Sequence, residues 1–161
     1  MEHLLLNRAA SISALTAAFG NRVVTSQAVR DQHGNTLTWV PNQPPDAVVY
    51  PQTTQDVQQI VGICAEHKMP MIPFGTGTSL EGHVNAPFGG VSIDFRDMNK
   101  VLAVHAEDLD CVIEPGITRK ALNEHLRDQA CSFRSIPAPT PRSAAWPRRG
   151  PRAPTRCATA P

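Results

Sequence analysis

The residues best suited to binding chemistry form one short stretch from Pro73 to Gly82, with the sequence P-F-G-T-G-T-S-L-E-G. Three glycines among small hydroxyl residues allow sharp turns and let the backbone come close to a bound group. Successive backbone N–H groups in a tight turn form a concave anion site, and serine and threonine hydroxyls add hydrogen bonds to phosphate oxygens. The stretch therefore predicts a phosphate-binding loop, while a plain turn between two strands would have a similar composition.

The glycine spacing excludes two familiar phosphate-binding motifs. Gly77 and Gly82 have the spacing of a P-loop, but His83 follows where that motif requires lysine. Gly75 and Gly77 would begin a Rossmann fingerprint, but Leu80 stands where its third glycine belongs. A ligand at this loop must therefore be held in another way.

The loop follows an alternation of predicted strands and helices. Residues 47–50 form a short buried strand, and Thr53 with Asp56 gives a capping-box pattern at the start of a helix that extends to about residue 67. Residues 71–72 resume an extended run that enters the loop. Open α/β sheets usually place ligands at the ends of their strands, so this order supports the phosphate interpretation.

The flanking segments predict an α+β fold. A helix at residues 4–19 precedes a proline-rich lead-in segment at residues 21–45. The alternation of apolar and polar residues at 91–95 predicts a half-buried strand. Two more short strands and a helix capped by Thr118 complete the pattern, at residues 101–104, 109–113 and 118–129.

Composition gives few clues to partners, since the formal net charge is only +1 over 161 residues. The cysteines form no C-x-x-C pair, and two of them lie in apolar segments, so buried free thiols in a reducing compartment are expected at Cys64 and Cys111. No apolar run approaches membrane-spanning length or the core of a signal peptide. The sequence therefore predicts a cytoplasmic protein with no membrane span.

Several ordered motifs resemble the FAD-linked oxidases of the p-cresol methylhydroxylase (PCMH) type, and most of all D-lactate dehydrogenases and the glycolate oxidase FAD-linked subunit. The motifs are P-D-A-V-V-Y-P, the glycine loop, and V-I-E-P-G-I-T-R-K-A-L-N. The resemblance covers residues 45–128, with a looser match at 32–34. It implies the first part of a PCMH-type FAD-binding domain, FAD as cofactor, and oxidation of a small 2-hydroxy acid, D-lactate or glycolate, to the 2-oxo acid.

The resemblance also implies roles for particular residues. In the family, the matching loop wraps the FAD pyrophosphate and the turn at 115–116 makes a second contact to the dinucleotide, although a plain strand-to-helix turn would look the same. His83 departs from the relatives, which tend to carry glycine there, and is interpreted as a loop residue. No catalytic acid or base and no metal ligand is assigned. The implied cofactor-binding residues are Pro73, Phe74, Gly75, Thr76, Gly77, Thr78, Ser79, Gly82, Pro115 and Gly116.

The composition changes after Gln129, which divides the chain into residues 1–45, the FAD-binding part 46–129, and a tail 130–161. The tail is rich in proline and arginine and has no acidic residue, so it is predicted to be disordered. The resemblance is expected to stop at Cys131. Regrouping GC-rich codons after one added base can restore the string L-F-F-P-I-D-P-G-A-D-A-S, which is similar to what the family carries there. A shifted reading frame is the favoured interpretation of the tail.

A shifted frame would leave the FAD pocket incomplete and omit the substrate-binding cap. The sequence therefore predicts weak or no FAD binding and no turnover for the polypeptide alone. Two other hypotheses stay open: a non-enzymatic remnant or interaction module, and a nucleic-acid-binding protein acting through the basic tail. The favoured interpretation has FAD and, in the full-length family, a small 2-hydroxy acid as partners, and no nucleic acid.

Overall fold

A computed structural model describes residues 2–35, 39–127, 131–132 and 158–159. Within these residues the helices are α1 (Glu2–Phe19), α2 (Gln27–Gly34), α3 (Thr54–Glu66) and α4 (Arg119–Leu126). The strands are β1 (Val23–Val24), β2 (Ala47–Val49), β3 (Met71–Phe74), β4 (Val91–Asp94), β5 (Val101–His105), β6 (Asp110–Ile113), β7 (Cys131–Ser132) and β8 (Ala158–Thr159). The mixture of helices and short strands confirms the predicted α+β class.

Strands β1 to β4 form one sheet in the order β1-β2-β4-β3. Strand β1 is antiparallel to β2, whereas β2, β4 and β3 are mutually parallel. Ser92 of β4 pairs with Val48 of β2 on one side and with Ile72 of β3 on the other. Strand β4 is thus central, although it follows β3 in the chain.

Its central position overturns the expectation that residues 91–95 form a half-buried strand. All four residues of β4 are buried, including the polar Ser92 and Asp94. The alternation of apolar and polar side chains normally marks a strand with one face in solvent. Here β4 is covered on both faces, so its polar side chains are buried as well, whereas the edge strand β3 alternates exposed and buried residues.

The main core lies between this sheet and the helices α1 and α3. Leu15 and Phe19 of α1 pack with Ile60 and Cys64 of α3 against Val49 and other residues of the sheet. Burial of Cys64 raises the pKa of its thiol, as expected for an inert cysteine in an apolar environment. The predicted burial of free thiols is therefore confirmed at Cys64 and holds in part at Cys111, which is half-buried.

The start of α3 is fixed by the capping box foreseen from the sequence. The Asp56 N–H donates to Thr53 Oγ1 over 3.1 Å, and the Thr53 N–H donates to Asp56 Oδ2 over 3.2 Å. Arg22 also donates to Asp56 Oδ2, over 2.6 Å, which ties the segment before β1 to the helix. Hydrogen bonds of this kind satisfy N–H groups that the first turn of a helix leaves unpaired.

A second, smaller unit follows the sheet. Strands β5 and β6 pair as an antiparallel hairpin, and α4 begins where the Ala121 N–H donates to Thr118 Oγ1 over 3.2 Å. Leu122 and Leu126 of α4 are buried against the hairpin. The short antiparallel strands and the capped helix predicted from the sequence are both present.

One part of the chain differs from the structure predicted from the sequence, and another lies largely outside the described residues. The lead-in segment at 21–45 contains a helix, α2, that the sequence analysis did not predict. Of the tail at 130–161, the structure describes only the antiparallel pairing of Cys131–Ser132 with Ala158–Thr159. The prediction of a disordered tail otherwise falls outside the described residues. Among the helices that are described, none has both the length and the apolar character needed to span a bilayer.

Candidate cofactor site

The site is built on the edge of the sheet where its three parallel strands end. Phe74, the last residue of β3, pairs with Asp94, the last residue of β4. The glycine loop leaves this edge directly after Phe74 and returns to β4 at Val91. Because strand ends of parallel sheets are the usual ligand positions in open α/β folds, the loop lies where the sequence analysis expected it.

Within the loop, Gly77 has a backbone conformation that glycine adopts more readily than other residues. Its φ is +71°, and a Cβ built on it would lie 3.1 Å from Cζ of the Phe74 ring. Gly82 also has a positive φ, of +73°. Left-handed backbone at two glycines makes the chain turn sharply twice, as a loop that encloses an anion requires.

The hydroxyl groups of the loop are close to one another and partly exposed. Thr76 Oγ1 lies 3.1 Å from Thr78 Oγ1, and Ser79 Oγ lies 2.7 Å from Nδ1 of His83. His83 is itself a loop residue with a largely exposed side chain, 3.9 Å from Glu81 at the nearest ion-pair atoms. The serine and the two threonines are therefore half-buried residues whose hydroxyl groups already contact other side chains of the loop.

The ten residues implied by the family resemblance occupy two neighbouring places. Phe74 and Gly75 are buried, Pro73 is exposed, and the residues from Thr76 to Ser79 and Gly82 are half-buried. The other two lie in the turn before α4, where Pro115 is half-buried and Gly116 is buried. Their assignment as cofactor contacts stays a prediction.

Close packing leaves no room for a side chain at Gly116. Its N–H donates to the carbonyl oxygen of Met98 over 2.7 Å, and a Cβ would lie 1.7 Å from the carbonyl oxygen of Phe95. Residues 95–97 form the 3-10 turn that follows β4. The Gly116 turn is therefore held beside the same sheet edge from which the glycine loop leaves β3.

A buried polar cluster at this edge was missed by the sequence analysis. Nε2 of His33, in α2, lies 3.1 Å from Oδ2 of Asp94. Arg96 donates to that same oxygen through its Nε over 2.8 Å. The guanidinium of Arg96 also lies 4.6 Å from the centre of the Tyr50 ring. His33 and Asp94 stand 61 positions apart in the sequence, so no local motif could have paired them.

Burial and the polar contacts within this cluster shift the pKa values of Asp94 and Tyr50. Burial alone would raise the pKa of Asp94, but hydrogen bonds from His33 and Arg96 outweigh it and lower that pKa below its usual value. Burial raises the pKa of Tyr50 even though the nearby Arg96 acts against it. Asp94 is therefore an ionised carboxylate shared by two basic side chains.

Comparison with known proteins identifies the fold of this site. A family described as FAD binding domain matches residues 45–142. The chain belongs to this family. The match extends beyond Gln129 and Cys131, where the sequence analysis placed the end of the FAD-binding part and of the resemblance.

Individual relatives of this FAD-binding domain agree with the resemblance drawn from the motifs. A probable mitochondrial D-lactate dehydrogenase of Danio rerio is 43% identical over 123 residues, which is 76% of this chain and 25% of the relative. Glycolate oxidase subunit GlcD of Bacillus subtilis (strain 168) is 38% identical over 73 residues, 45% of this chain and 16% of the relative. The chain thus spans a quarter or less of the length of these two relatives.

A solved structure matches the fold over most of the chain. The crystal structure of p-cresol methylhydroxylase with substrate bound superposes with a TM-score of 0.71 and 26% sequence identity, covering 86% of this chain and 28% of that one. The predicted PCMH-type fold and FAD as cofactor are therefore confirmed at the level of the family.

The residues present fit the diphosphate part of such a cofactor. The left-handed turn at Gly77 leaves no side chain between the loop backbone and a ligand, and the threonine hydroxyls stand beside it. Oδ1 of the buried Asn85, three residues after the loop, has no hydrogen-bond partner among the described residues. As an acceptor it would suit a donor group of the cofactor and not a phosphate oxygen, so the fit to the diphosphate rests on the turn and its hydroxyl groups.

Proposed function

We propose that the described part of this chain holds the diphosphate of FAD in a flavin-dependent oxidoreductase that acts on a small 2-hydroxy acid. The observation that carries the proposal is the glycine loop at the carboxyl end of β3, with left-handed backbone at Gly77 and Gly82. Its support from comparison is membership of the FAD binding domain family and likeness to relatives named for D-lactate and glycolate.

The residues of the chain would act by binding and orientation. Backbone N–H groups of the loop would donate to phosphate oxygens, and the hydroxyls of Thr76, Thr78 and Ser79 would add further hydrogen bonds. The ring of Phe74 supports the turn, because its Cζ lies 3.1 Å from the position that a Gly77 Cβ would occupy. The turn at Pro115–Gly116 would approach the dinucleotide from the neighbouring strand end.

Bound FAD would supply the redox chemistry by accepting hydride from the α-carbon of the 2-hydroxy acid. None of the described residues is assigned as a catalytic acid or base, and the substrate could be D-lactate or glycolate. We infer that the 161 residues alone bind FAD weakly and do not turn over, since the matched part is only 25% of the length of the D-lactate dehydrogenase relative. The boundaries at 45 and 129, the shifted frame and the cytoplasmic location remain predictions.

The test compares two polypeptides. The 161-residue chain and a chain extended through the restored reading frame are purified, and flavin absorbance and turnover of D-lactate and glycolate with a dye acceptor are measured. The proposal expects bound flavin and turnover in the extended chain only. A 161-residue chain that purifies with stoichiometric flavin would contradict the inferred weak binding, and an extended chain without flavin would contradict the proposed function. Genomic sequence across the codons for residues 129–134 checks the frame independently.

A further inference from the structure

The side chain of His33 is enclosed at the carboxyl edge of the sheet and has an oxygen atom opposite each ring nitrogen. Nδ1 lies 2.8 Å from the carbonyl oxygen of Val29, and Nε2 lies 3.1 Å from Oδ2 of Asp94. Only 2% of the His33 side chain is exposed, and Asp94 is fully buried. Solvent is therefore unable to replace the bond between His33 and Asp94.

These two partners determine where the protons of the ring must be. A carbonyl oxygen only accepts hydrogen bonds, so Nδ1 carries a proton. The Asp94 carboxylate also only accepts, because the backbone N–H of Arg96 donates to Oδ1 over 2.9 Å and the Arg96 side chain donates to Oδ2. The lowered pKa of Asp94 agrees with an ionised group. Nε2 must then carry a proton as well, which makes the ring a cation.

The His33 ring contacts Phe74, the residue that packs beneath the glycine loop at Gly77. The centre of the His33 ring lies 4.3 Å from the centre of the Phe74 ring, and Cζ of the Phe74 ring lies 3.1 Å from the position of a Gly77 Cβ. A chain of contacts therefore runs from Asp94 through His33 and Phe74 to the left-handed turn. Moving His33 would remove the surface on which Phe74 rests.

We propose that His33 is a positioning residue for the glycine loop, held as an imidazolium between Val29 and Asp94 so that Phe74 fixes the turn at Gly77. The inference rests on the proposed function, because the loop is taken to bind a diphosphate. With Arg96, the cluster carries two positive charges against one negative charge at the edge where the anion would bind. Loss of the His33 proton would release its bond to Asp94 and loosen the loop.

The other charged or titratable groups around His33 are few. The ring of Tyr50, which directly follows β2, packs edge-to-face with the His33 ring, and the two ring centres are 6.2 Å apart. Arg96 is linked to His33 through their shared partner Asp94. The charge of Asp97 raises the pKa values of Arg96 and Tyr50. Arg30 and Asp31 lie on α2 itself, with Arg30 bound to the carbonyl oxygen of Pro45 over 2.6 Å. The carboxylate of Asp94 is thus the direct ionic partner, and Asp97 offers a control outside the contact.

The first experiment measures the protonation of the His33 ring nitrogens directly, on the full 161-residue chain. Long-range ¹H–¹⁵N correlation spectra at pH 7.5 report whether one or both ring nitrogens of each histidine carry a proton, with the chain unfolded in urea as the reference. The His33 signals are assigned by their loss in a His33→Gln variant. Both nitrogens of His33 are expected to be protonated in the folded chain. A single protonated nitrogen would overturn the inference, and this result does not depend on any ligand.

The second experiment links the proton to binding, with ADP as the diphosphate probe. The amide shifts of Gly75, Gly77 and Gly82 are followed as ADP is added to the wild-type chain and to the variants Asp94→Asn and Asp97→Asn. We expect ADP binding to weaken about tenfold in Asp94→Asn and to stay unchanged in Asp97→Asn. In the wild type, the affinity should fall over the same pH range in which the nitrogen spectra show loss of the second ring proton of His33. A merely structural role for His33 would not produce this coincidence.

Different results would contradict the proposed function and the positioning role of His33. If the wild-type chain shows no ADP-dependent shift in the loop, the proposed function is contradicted, while the nitrogen spectra still decide the state of His33. If the wild type binds ADP and folded Asp94→Asn binds equally well, the positioning role is contradicted alone. Should Asp94→Asn not fold, the wild-type pH series decides, because an affinity that ignores the His33 proton would overturn the inference.

Discussion

The ring of Phe74 lies 3.1 Å from the position that a Cβ on Gly77 would occupy, and Gly77 has a φ of +71°. Phe74 is the last residue of β3, and Gly77 is in the loop that follows. The contact joins the buried end of a parallel strand to an accessible turn. The shape of the proposed diphosphate site therefore depends on the packing of one aromatic ring against a residue without a side chain.

Gly77→Ala should weaken ADP binding at the loop. The added methyl group would press on the Phe74 ring, and a left-handed backbone costs about 1–2 kcal/mol for a residue other than glycine. The turn should therefore change conformation, with smaller ADP-dependent amide shifts at Gly75 and Gly82. Gly62→Ala is the matched control, since this helical glycine has nothing within 4 Å of its Cβ position. Equal ADP affinity in both variants would contradict the predicted role of the turn.

Gly116→Ala should destabilise the fold whether or not a cofactor binds. The Cβ would lie 1.7 Å from the carbonyl oxygen of Phe95, so the backbone on one side must move. We expect the free energy of unfolding to fall by about 2–4 kcal/mol, in the upper range of single substitutions. Urea unfolding followed by circular dichroism measures it. Gly62→Ala should instead stabilise by about 0.5–1 kcal/mol, and similar values for the two variants would show that the tight approach at Gly116 is wrong.

The buried Asp94 should make the protein sensitive to acid. Its folded pKa is lowered from an unfolded value of about 3.9, so its contribution to stability is present above that pH and is lost as the pH falls through the folded pKa. Asp94→Asn should lower stability at pH 7 and reduce the further loss between pH 4 and pH 2, since the titrating group is gone. Urea unfolding across this range tests the sign. An acid loss as steep as in the wild type, or an equal effect of Asp97→Asn, would count against the account.

Thr53→Ala should destabilise α3 by removing one half of its capping box. Thr53 Oγ1 accepts the Asp56 N–H over 3.1 Å, and loss of such a cap costs about 0.5–2 kcal/mol. Thr54→Ala is the control, because Thr54 is the first helical residue and alanine has the higher helix propensity. The melting temperature should fall for Thr53→Ala and stay level or rise for Thr54→Ala. The reverse order would show that the cap does not stabilise the helix.

Local patterns in the sequence predicted much of the sheet and its helices. The capping box at Thr53 and the hydroxyl-rich glycine loop both depend on residues within a few positions of one another, and both are present in the structure. The burial of β4 was misjudged, because Ser92 and Asp94 look like solvent-facing residues in an alternating strand. Their burial results from the long-range placement of β4 at the centre of the sheet and from elements packed over its faces, such as α2, whose His33 contacts Asp94.

Helix α2 was missed for a related reason. Its sequence Q-A-V-R-D-Q-H-G has few apolar residues, and Ser26 before it makes no capping hydrogen bond. Arg30 donates to the carbonyl oxygen of Pro45, and His33 bonds to Asp94, so tertiary contacts compensate for the weak local signal. The same contacts create the polar cluster beside the candidate site. The glycine loop at the end of β3 was therefore predictable from composition and order, whereas the polar network beside it was not.

The central claim is that the glycine loop binds a diphosphate, and amide chemical-shift mapping tests it most directly. Two-dimensional ¹H–¹⁵N spectra of the full 161-residue chain are recorded while inorganic pyrophosphate, ADP and FAD are added separately. The account predicts saturable shifts centred on residues 75–82 for all three, with weaker changes at Gly116 for FAD. Shifts that occur elsewhere, or a loop that does not respond to any of the three ligands at millimolar concentration, would contradict it.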